Sequence, residues 1–151
     1  QGPGGAVIAY RISVNLPNVV QTNAPGDLVL TSGVPAAGPT LALFRTVPFA
    51  GVVYDDTNGN AARDAGEPGV GGVLVQLVTP SGAVAVNQAT GQPIQTTTAA
   101  NGSYTIQAPN GTFTVRLQSL AAGTITTTSA PAPLTTTSGL VIPPIDLGTF
   151  R

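Results

Sequence analysis

Residues 51–77 read GVVYDDTNGNAARDAGEPGVGGVLVQL, in which an acidic segment separates two short apolar segments. The apolar segments, residues 51–54 and 73–77, are rich in Val, whose branched Cβ suits the pleated surface of a sheet better than a helix. Gly and Pro recur between them too often to allow three turns of helix. The stretch therefore predicts two strands joined by an acidic loop.

The rest of the chain repeats this arrangement of short strands and turns. Its 151 residues include 19 Gly and 14 Pro, which leave few windows that could support a helix. Short apolar or Thr-rich runs with turn residues between them predict an all-β sandwich. The predicted strands are residues 7–14, 28–30, 41–44, 51–54, 73–78, 83–86, 94–98, 103–106, 112–117, 123–128 and 140–147.

Two regions are predicted, an N-terminal extension of residues 1–50 and a β-sandwich domain of residues 51–151, with Pro48 near their boundary. A chain of this length is long enough for one core but not comfortably for two. We therefore expect one cooperative unit that carries an extension.

The extension contains an alternating run at residues 7–14, in which Ile8, Tyr10, Ile12 and Val14 share one face. Period-two alternation of this kind predicts a strand with one buried face. The strand could complete the sandwich of its own chain or could be donated to the sheet of a neighbouring copy. The sequence leaves both possibilities open.

Charged residues are scarce. They make up 7% of the chain, with no Lys, no His and five Arg, whereas ordinary soluble domains carry about 25%. Sheet proteins use surface charge to stay dispersed, so the scarcity favours a surface that faces other copies in a homo-oligomer. A neutral polar surface that carries glycans is the alternative.

The same composition excludes several classes of protein. Five scattered Arg cannot form the basic stripe that binds nucleic acid. No stretch approaches the roughly 18 unbroken apolar residues of a membrane-spanning helix. The absence of Cys excludes disulfides. The start at Gln1 fits a secreted protein whose signal peptide has been removed, and it fits equally well a sequence that begins within a longer chain.

Two Asn-Gly dipeptides mark tight turns at Asn101-Gly102 and Asn110-Gly111. Asn and Gly both tolerate the left-handed conformations of hairpin turns, so hairpins are the favoured interpretation. Each dipeptide also begins an Asn-x-Ser/Thr sequon, which makes Asn101 and Asn110 candidate glycan sites. The Thr-rich and Pro-rich residues 124–138 resemble an O-glycosylated segment in composition only.

Four of the six acidic residues lie within residues 55–67. From Asp56 as position 1, oxygen-bearing side chains fall at positions 3, 5, 9 and 12, which is the spacing of a calcium-binding loop. Such a loop directs alternate side chains and one backbone carbonyl towards the ion, and its final Glu can bind through both oxygens. The predicted Ca²⁺ ligands are Asp56, Asn58, Asn60, the Ala62 carbonyl, Asp64 and Glu67.

The local charge supports a cation site. Residues 55–67 carry a net charge of −3, and the other acidic and basic residues sum to +2, so a divalent cation would offset local repulsion. One position departs from the spacing rule, because Ala61 stands where the sharp turn of a calcium loop normally uses Gly. Gly59 supplies some of the missing backbone freedom.

Residues 51–77 resemble the opening of the calcium-binding B-type repeat of Gram-positive surface adhesins of the Sdr group, a domain also described as SdrD B-like or Cna B-type. Later similarities occur at residues 96–98, 101–106, 111–115 and 145–148, so the resemblance covers residues 51 to about 150 and leaves the extension unmatched. The resemblance implies a Greek-key, prealbumin-like (Ig-like) β-sandwich, a rigidifying Ca²⁺ held by the residues named above, and a cell-surface location. The internal Lys–Asn crosslink of related pilin domains is impossible here, because the chain has no Lys.

We expect an extracellular structural protein that assembles into a surface filament or sheath, joined by donation of residues 7–14. The alternative is a stalk or adhesion module of a larger surface protein. Catalysis is not expected, because the chain has no His or Cys and its clustered acids belong to the predicted calcium loop.

Overall fold

A computed structural model describes residues 9–21, 23, 28–29 and 37–151. The described residues contain strands and no helix, as the Gly, Pro and Thr content predicts. None of these residues therefore forms a helix long and apolar enough to cross a bilayer. The chain divides into two compact units, Gln1–Arg45 and Thr46–Arg151.

The described residues of the first unit form four short strands. Ala9–Tyr10 (β1) pairs antiparallel with Leu28–Val29 (β3). Val19–Gln21 (β2) pairs antiparallel with Leu43–Arg45 (β4). Between β2 and β4, the Asn23 side chain donates to Thr40 O at 2.7 Å and accepts from Ala42 N at 2.8 Å.

The predicted strand at residues 7–14 is shorter in the structure. Only Ala9–Tyr10 forms a strand among its described residues, residues 11–14 have no regular structure, and residues 7 and 8 lie outside the described part. Alternation defines which side chains share a face, but a strand also requires a paired neighbour. β2 was not predicted, and the strand predicted at residues 41–44 is β4, displaced towards Arg45.

The second unit is the β-sandwich. Its strands in chain order are Val47–Asp55 (β5), Leu74–Val78 (β6), Gln95–Thr97 (β7), Ser103–Ala108 (β8), Gly111–Gln118 (β9), Ile125–Thr126 (β10), Leu134–Thr136 (β11) and Leu147–Phe150 (β12). One sheet has the order β10-β12-β5-β8 and the other β11-β9-β6-β7. All pairs are antiparallel except β12 with β5.

The core contains apolar side chains from both sheets. Alternation along the strands places every second side chain inward, for example Tyr104, Ile106 and Ala108 of β8. Burial of these side chains is the main favourable contribution to the stability of the sandwich. The buried apolar residues of this unit also include Val47, Phe49, Val53, Tyr54, Val73, Val75, Leu77, Val78, Ala85, Phe113, Val115 and Leu147.

Pro48 lies inside β5 rather than between two regions, and β5 begins before the predicted start at Gly51. Ile145 N donates to Ala50 O, and Val52 N donates to Asp146 Oδ1. The even-numbered residues of β5 therefore direct their backbone groups away from β8. Pro48 is also even-numbered, so its missing N–H removes no hydrogen bond between β5 and β8.

Most strands of the second unit match their predictions to within a few residues. Two predictions are wrong, and one strand was not predicted. Residues 83–86 form only isolated bridges, Val78 to Val84 and Val86 to Pro93. The strand predicted at residues 140–147 is instead β12, which begins where the prediction ends, and β11 was missed.

Asn101-Gly102 forms a turn and Asn110 lies in a bend before β9, but neither dipeptide joins the strands of a hairpin. The Asn101-Gly102 turn connects β7 to β8, and Asn110-Gly111 connects β8 to β9. In each case the two strands belong to different sheets. Asn-Gly specifies the local backbone turn, with Gly102 at φ 77°, but it does not specify which sheet the next strand joins.

Two glycines allow backbone segments to approach closely. A Cβ on Gly51 would lie 1.9 Å from the Ile145 carbonyl oxygen, and a Cβ on Gly69 would lie 1.9 Å from the Asn101 carbonyl oxygen. Both contacts are to backbone, which cannot move aside as a flexible side chain can. Gly51 therefore lets the segment before β12 lie against β5.

We expect Gly51→Ala to lower the free energy of unfolding by about 2 kcal/mol or more, because the segment before β12 must move away from β5. Urea denaturation of the variant and the parent chain measures this difference. Gly38→Ala is the matched control, since a Cβ there meets no atom within 4 Å. Equal losses in the two variants would contradict the close approach at Gly51.

Candidate metal centre

The loop of residues 56–67 leaves the end of β5 and returns beside it. Asp55 N donates to Pro68 O at 2.9 Å, and Val70 N donates to Val53 O at 2.8 Å. Asp56 N donates to Thr149 O of β12 at 2.8 Å. Backbone hydrogen bonds thus close the base of the loop and fix its first residue to a neighbouring strand.

Asp56 is fully buried, and its carboxylate organises the first half of the loop. Oδ1 accepts from Asn60 N at 3.1 Å, and Oδ2 accepts from Ala61 N at 2.9 Å. The nearby Thr127 hydroxyl lowers the pKa of Asp56 most strongly. Burial raises this pKa, and the backbone N–H groups lower it further, with a lowered pKa as the net result. Asp56 is therefore ionised at neutral pH.

Glu67 connects the two ends of the loop. Its side chain is nearly buried, with 8% exposed. Oε1 accepts from Thr57 N at 3.0 Å, and Oε2 accepts from Asp64 N at 3.0 Å. Each carboxylate oxygen retains a lone pair beyond these bonds, so the residue could still bind a cation.

Asn58, Asn60 and Asp64 meet at one point. The Nδ2 atoms of Asn58 and Asn60 lie 2.8 and 2.7 Å from Asp64 Oδ2. The two amide oxygens accept from Asn60 N and Ala62 N, which forms successive Asx turns. The predicted spacing therefore does direct these three side chains to the same side of the loop.

The turn at Ala61 has the backbone conformation that Gly normally supplies. Ala61 has φ 61° and Gly59 has φ 69°, and both values lie in the left-handed region. This region costs a residue with a Cβ about 1–2 kcal/mol, whereas Gly adopts it freely. The departure from the calcium-loop pattern is thus a strained residue within the expected turn.

The basic residue of the loop points away from the acids. Arg63 Nη1 lies 3.9 Å from Asp146 Oδ2, at the end of the segment that precedes β12. Within the described residues, Asp56, Asp64 and Glu67 form no ion pair. Their negative charges also help to raise the pKa of the buried Tyr54, after burial itself. The acids of the loop therefore lack a compensating cation.

Sequence reasoning missed two contributors to this region. Asp146 is distant from the loop in sequence but pairs with Arg63 and accepts from Val52 N at 2.8 Å. The Thr127 hydroxyl is buried and has no hydrogen-bond partner of full geometry in the described chain. The pairing of β10 with β12 and of β12 with β5 brings these residues close, and no local motif marks them.

The donor set consists of hard oxygen atoms, which suits Ca²⁺ better than a softer metal. The structure gathers Asn58, Asn60 and Asp64, and it directs Asp56 and Glu67 onto the loop backbone. No group of three carboxylates among the described residues is close enough to hold a metal alone. A cation here would therefore also need the amide oxygens and the Ala62 carbonyl.

The candidate glycan sites are both exposed, as a sequon requires. Asn101 Oδ1 accepts from Ser103 N at 3.1 Å and from Ser103 Oγ at 2.7 Å. The Thr-rich residues 124–138 are partly ordered instead, since they contain β10 and β11, and Thr136 is buried with its hydroxyl bonded to Pro109 O. Thr136 is thus unsuited to glycosylation.

Two four-stranded sheets with an acidic loop at the end of one strand define an immunoglobulin-like β-sandwich module. The family model of the SdrD B-like domain matches residues 49–139, and the chain belongs to this family. Domains of this family occur in cell-surface proteins. The match leaves the N-terminal extension unassigned, and the chain has no significant match among curated proteins.

We expect Ala61→Gly to raise the free energy of unfolding by about 1 kcal/mol, because Gly removes the left-handed strain at φ 61°. Thermal or urea unfolding in a calcium-free buffer checks this without any contribution from a ligand. Ala62→Gly is the control, since Ala62 has no positive φ and the change should cost about 0.5 kcal/mol. A loss of stability in both variants would contradict the strain at Ala61.

Proposed function

We propose that this chain is an extracellular structural module of a cell-surface protein whose sandwich is stabilised by Ca²⁺ in the loop of residues 56–67. Family membership supports the surface role. The observation that carries the calcium proposal is the uncompensated charge of Asp56, Asp64 and Glu67, since Arg63 pairs with Asp146 instead. The proposed role is non-catalytic.

The proposed ligands are the side chains of Asp56, Asn58, Asn60, Asp64 and Glu67 with the Ala62 carbonyl. When bound, Ca²⁺ would neutralise the carboxylates and fix their separation. The chain itself transmits this effect to the sandwich, because Asp56 N is bonded to β12 and Asp55 N to the returning segment. Calcium would therefore stiffen the junction of β5 and β12, which suits a module that bears load.

We expect Glu67→Gln to weaken Ca²⁺ binding at least about tenfold, because the substitution removes the charge and the bidentate carboxylate. The calcium-dependent rise in melting temperature should shrink accordingly. Isothermal titration calorimetry and thermal unfolding, with and without a chelator, measure the two effects.

Asp55→Asn is the matched control for Glu67→Gln. It removes the same charge one residue before the loop, and Asp55 is outside the proposed ligand set. If the two variants lose equal affinity, the effect of Glu67 is general electrostatics and the ligand assignment fails. An unchanged melting temperature of the parent chain upon calcium addition would remove the calcium proposal itself.

The finer proposal is self-assembly into a surface filament by donation of residues 7–14 to a neighbouring copy. The low charge content supports it, since little repulsion opposes association. Among the described residues, β1 and β3 pair over two residues each, and a longer pairing elsewhere would gain hydrogen bonds. A head-to-tail contact of this kind extends into a fibre because it does not close on itself.

We expect a chain that lacks residues 1–14 to lose filament formation and to retain Ca²⁺ binding, because the loop lies entirely in the second unit. Electron microscopy in millimolar calcium and calorimetry measure the two properties. A chain that lacks only residues 1–5, which precede the alternating run, is the control. Filaments formed by the longer deletion would refute donation from this segment.

A further inference from the structure

β8 lies at the edge of its sheet, where it pairs with β5 alone among the described strands. Its six residues make it longer than the other edge strands, since β7 and β11 have three residues each and β10 has two. Short edge strands are one way in which proteins prevent unwanted pairing. β8 lacks this protection.

The backbone of β8 offers free hydrogen-bonding groups at two residues. The β5 residues opposite Tyr104, Ile106 and Ala108 are odd-numbered and direct their backbone groups towards β8. These three β8 residues therefore form the hydrogen-bonded pairs. Thr105 and Gln107 therefore direct their N–H and C=O groups outward. Both residues are exposed, and their backbone groups make no other hydrogen bond in the described chain.

The edge also lacks charge. Residues 68–115 contain no Asp, Glu, Lys or Arg, and this segment includes β8 entirely. β8 has no Pro, and its register with β5 runs without a bulge. Charged side chains, Pro and bulges are the other devices that keep edge strands apart. All three are missing at this edge.

We propose that β8 pairs antiparallel with β8 of a second copy of this chain, about a two-fold axis at Ile106. In this register Thr105 lies opposite Gln107 of the partner copy, and both have outward backbone groups, so each pair exchanges two N–H···O bonds. A centre at Thr105 would pair Gln107 with Ser103, whose carbonyl already accepts from Ala99 N. A centre at Gln107 would pair Thr105 with Pro109, which has no N–H. With the axis at Ile106, the outward-facing residues Thr105 and Gln107 of one copy therefore lie opposite Gln107 and Thr105 of the other.

The side chains are compatible with this self-pairing. A two-fold axis places like residues near each other, and a charged residue in β8 would then repel its copy. Thr105 and Gln107 are uncharged and polar, and can hydrogen-bond across the axis on the exposed face. The pairing joins two four-stranded sheets into one continuous sheet and closes as a dimer. It goes beyond the proposed calcium module and depends on neither calcium nor the N-terminal extension.

Directed disulfide formation tests the register, because the chain has no Cys of its own. Full-length Thr105→Cys and Gln107→Cys chains, one with a mass tag, are mixed and oxidised gently. Opposed residues of a hydrogen-bonded pair have Cα atoms about 5.5 Å apart, within disulfide range, whereas identical residues lie beyond about 7 Å. We expect mixed dimers in large excess over either homodimer.

Three outcomes would overturn the proposal: a statistical ratio of mixed dimers to homodimers, no disulfide dimer at all, or crosslinking of Thr105→Cys to Ile12→Cys in preference to Gln107→Cys. The last outcome would show that the segment of residues 7–14, rather than β8 of a second copy, pairs with this edge.

A charge variant tests the same interface without crosslinking. We expect Thr105→Lys to weaken dimerisation at least about tenfold in sedimentation equilibrium, because two lysines then face one short interface. Thr97→Lys is the matched control, an exposed Thr on β7, the edge strand of the other sheet. Equal dimerisation in the parent chain and both variants would exclude β8 as the contact.

Discussion

The burial of the Asp56 carboxylate is the constraint on which the loop and one sheet both depend. A fully buried carboxylate is costly unless hydrogen bonds stabilise it, and here the backbone of Asn60 and Ala61 supplies them. The same residue donates its N–H to Thr149, which ties β12 to the end of β5. Loss of the loop geometry would therefore also affect the parallel β5–β12 pair at the centre of the sheet.

Sequence patterns predicted the strands of the sandwich best where apolar residues recur within a short segment, as in β6 and β9. They failed where a strand depends on a distant partner. β11 consists of Leu134–Thr136 and exists because it pairs with the start of β9. Residues 11–14 alternate but are not part of a strand. Side-chain alternation reports a shared face, whereas a strand needs hydrogen bonds that only the tertiary fold provides.

The spacing of the acidic loop predicted six converging ligands. Asn58, Asn60 and Asp64 meet at one carboxylate oxygen, whereas the Asp56 and Glu67 carboxylates accept from the loop backbone. The sequence could not predict that Arg63 turns outward to Asp146, because that contact depends on the position of β12. This outward pairing has a consequence for the loop. Arg63 reduces the net negative charge of the segment, but it does not pair with the buried carboxylates. The local net charge therefore underestimates how strongly these carboxylates favour a bound cation.

Charged residues are few, and they are also unevenly distributed along the chain. Glu67 ends the acidic loop, and the next charged residue is Arg116, so the intervening strands β6, β7 and β8 are neutral. Of these three, β6 is paired on both sides, and β7 is only three residues long. β8 alone combines neutrality with length and outward backbone groups. Glycosylation of the whole surface would not require the open edge strand to be neutral. Self-pairing does require a neutral edge strand, because a two-fold contact places each charged residue near the same residue of the second copy.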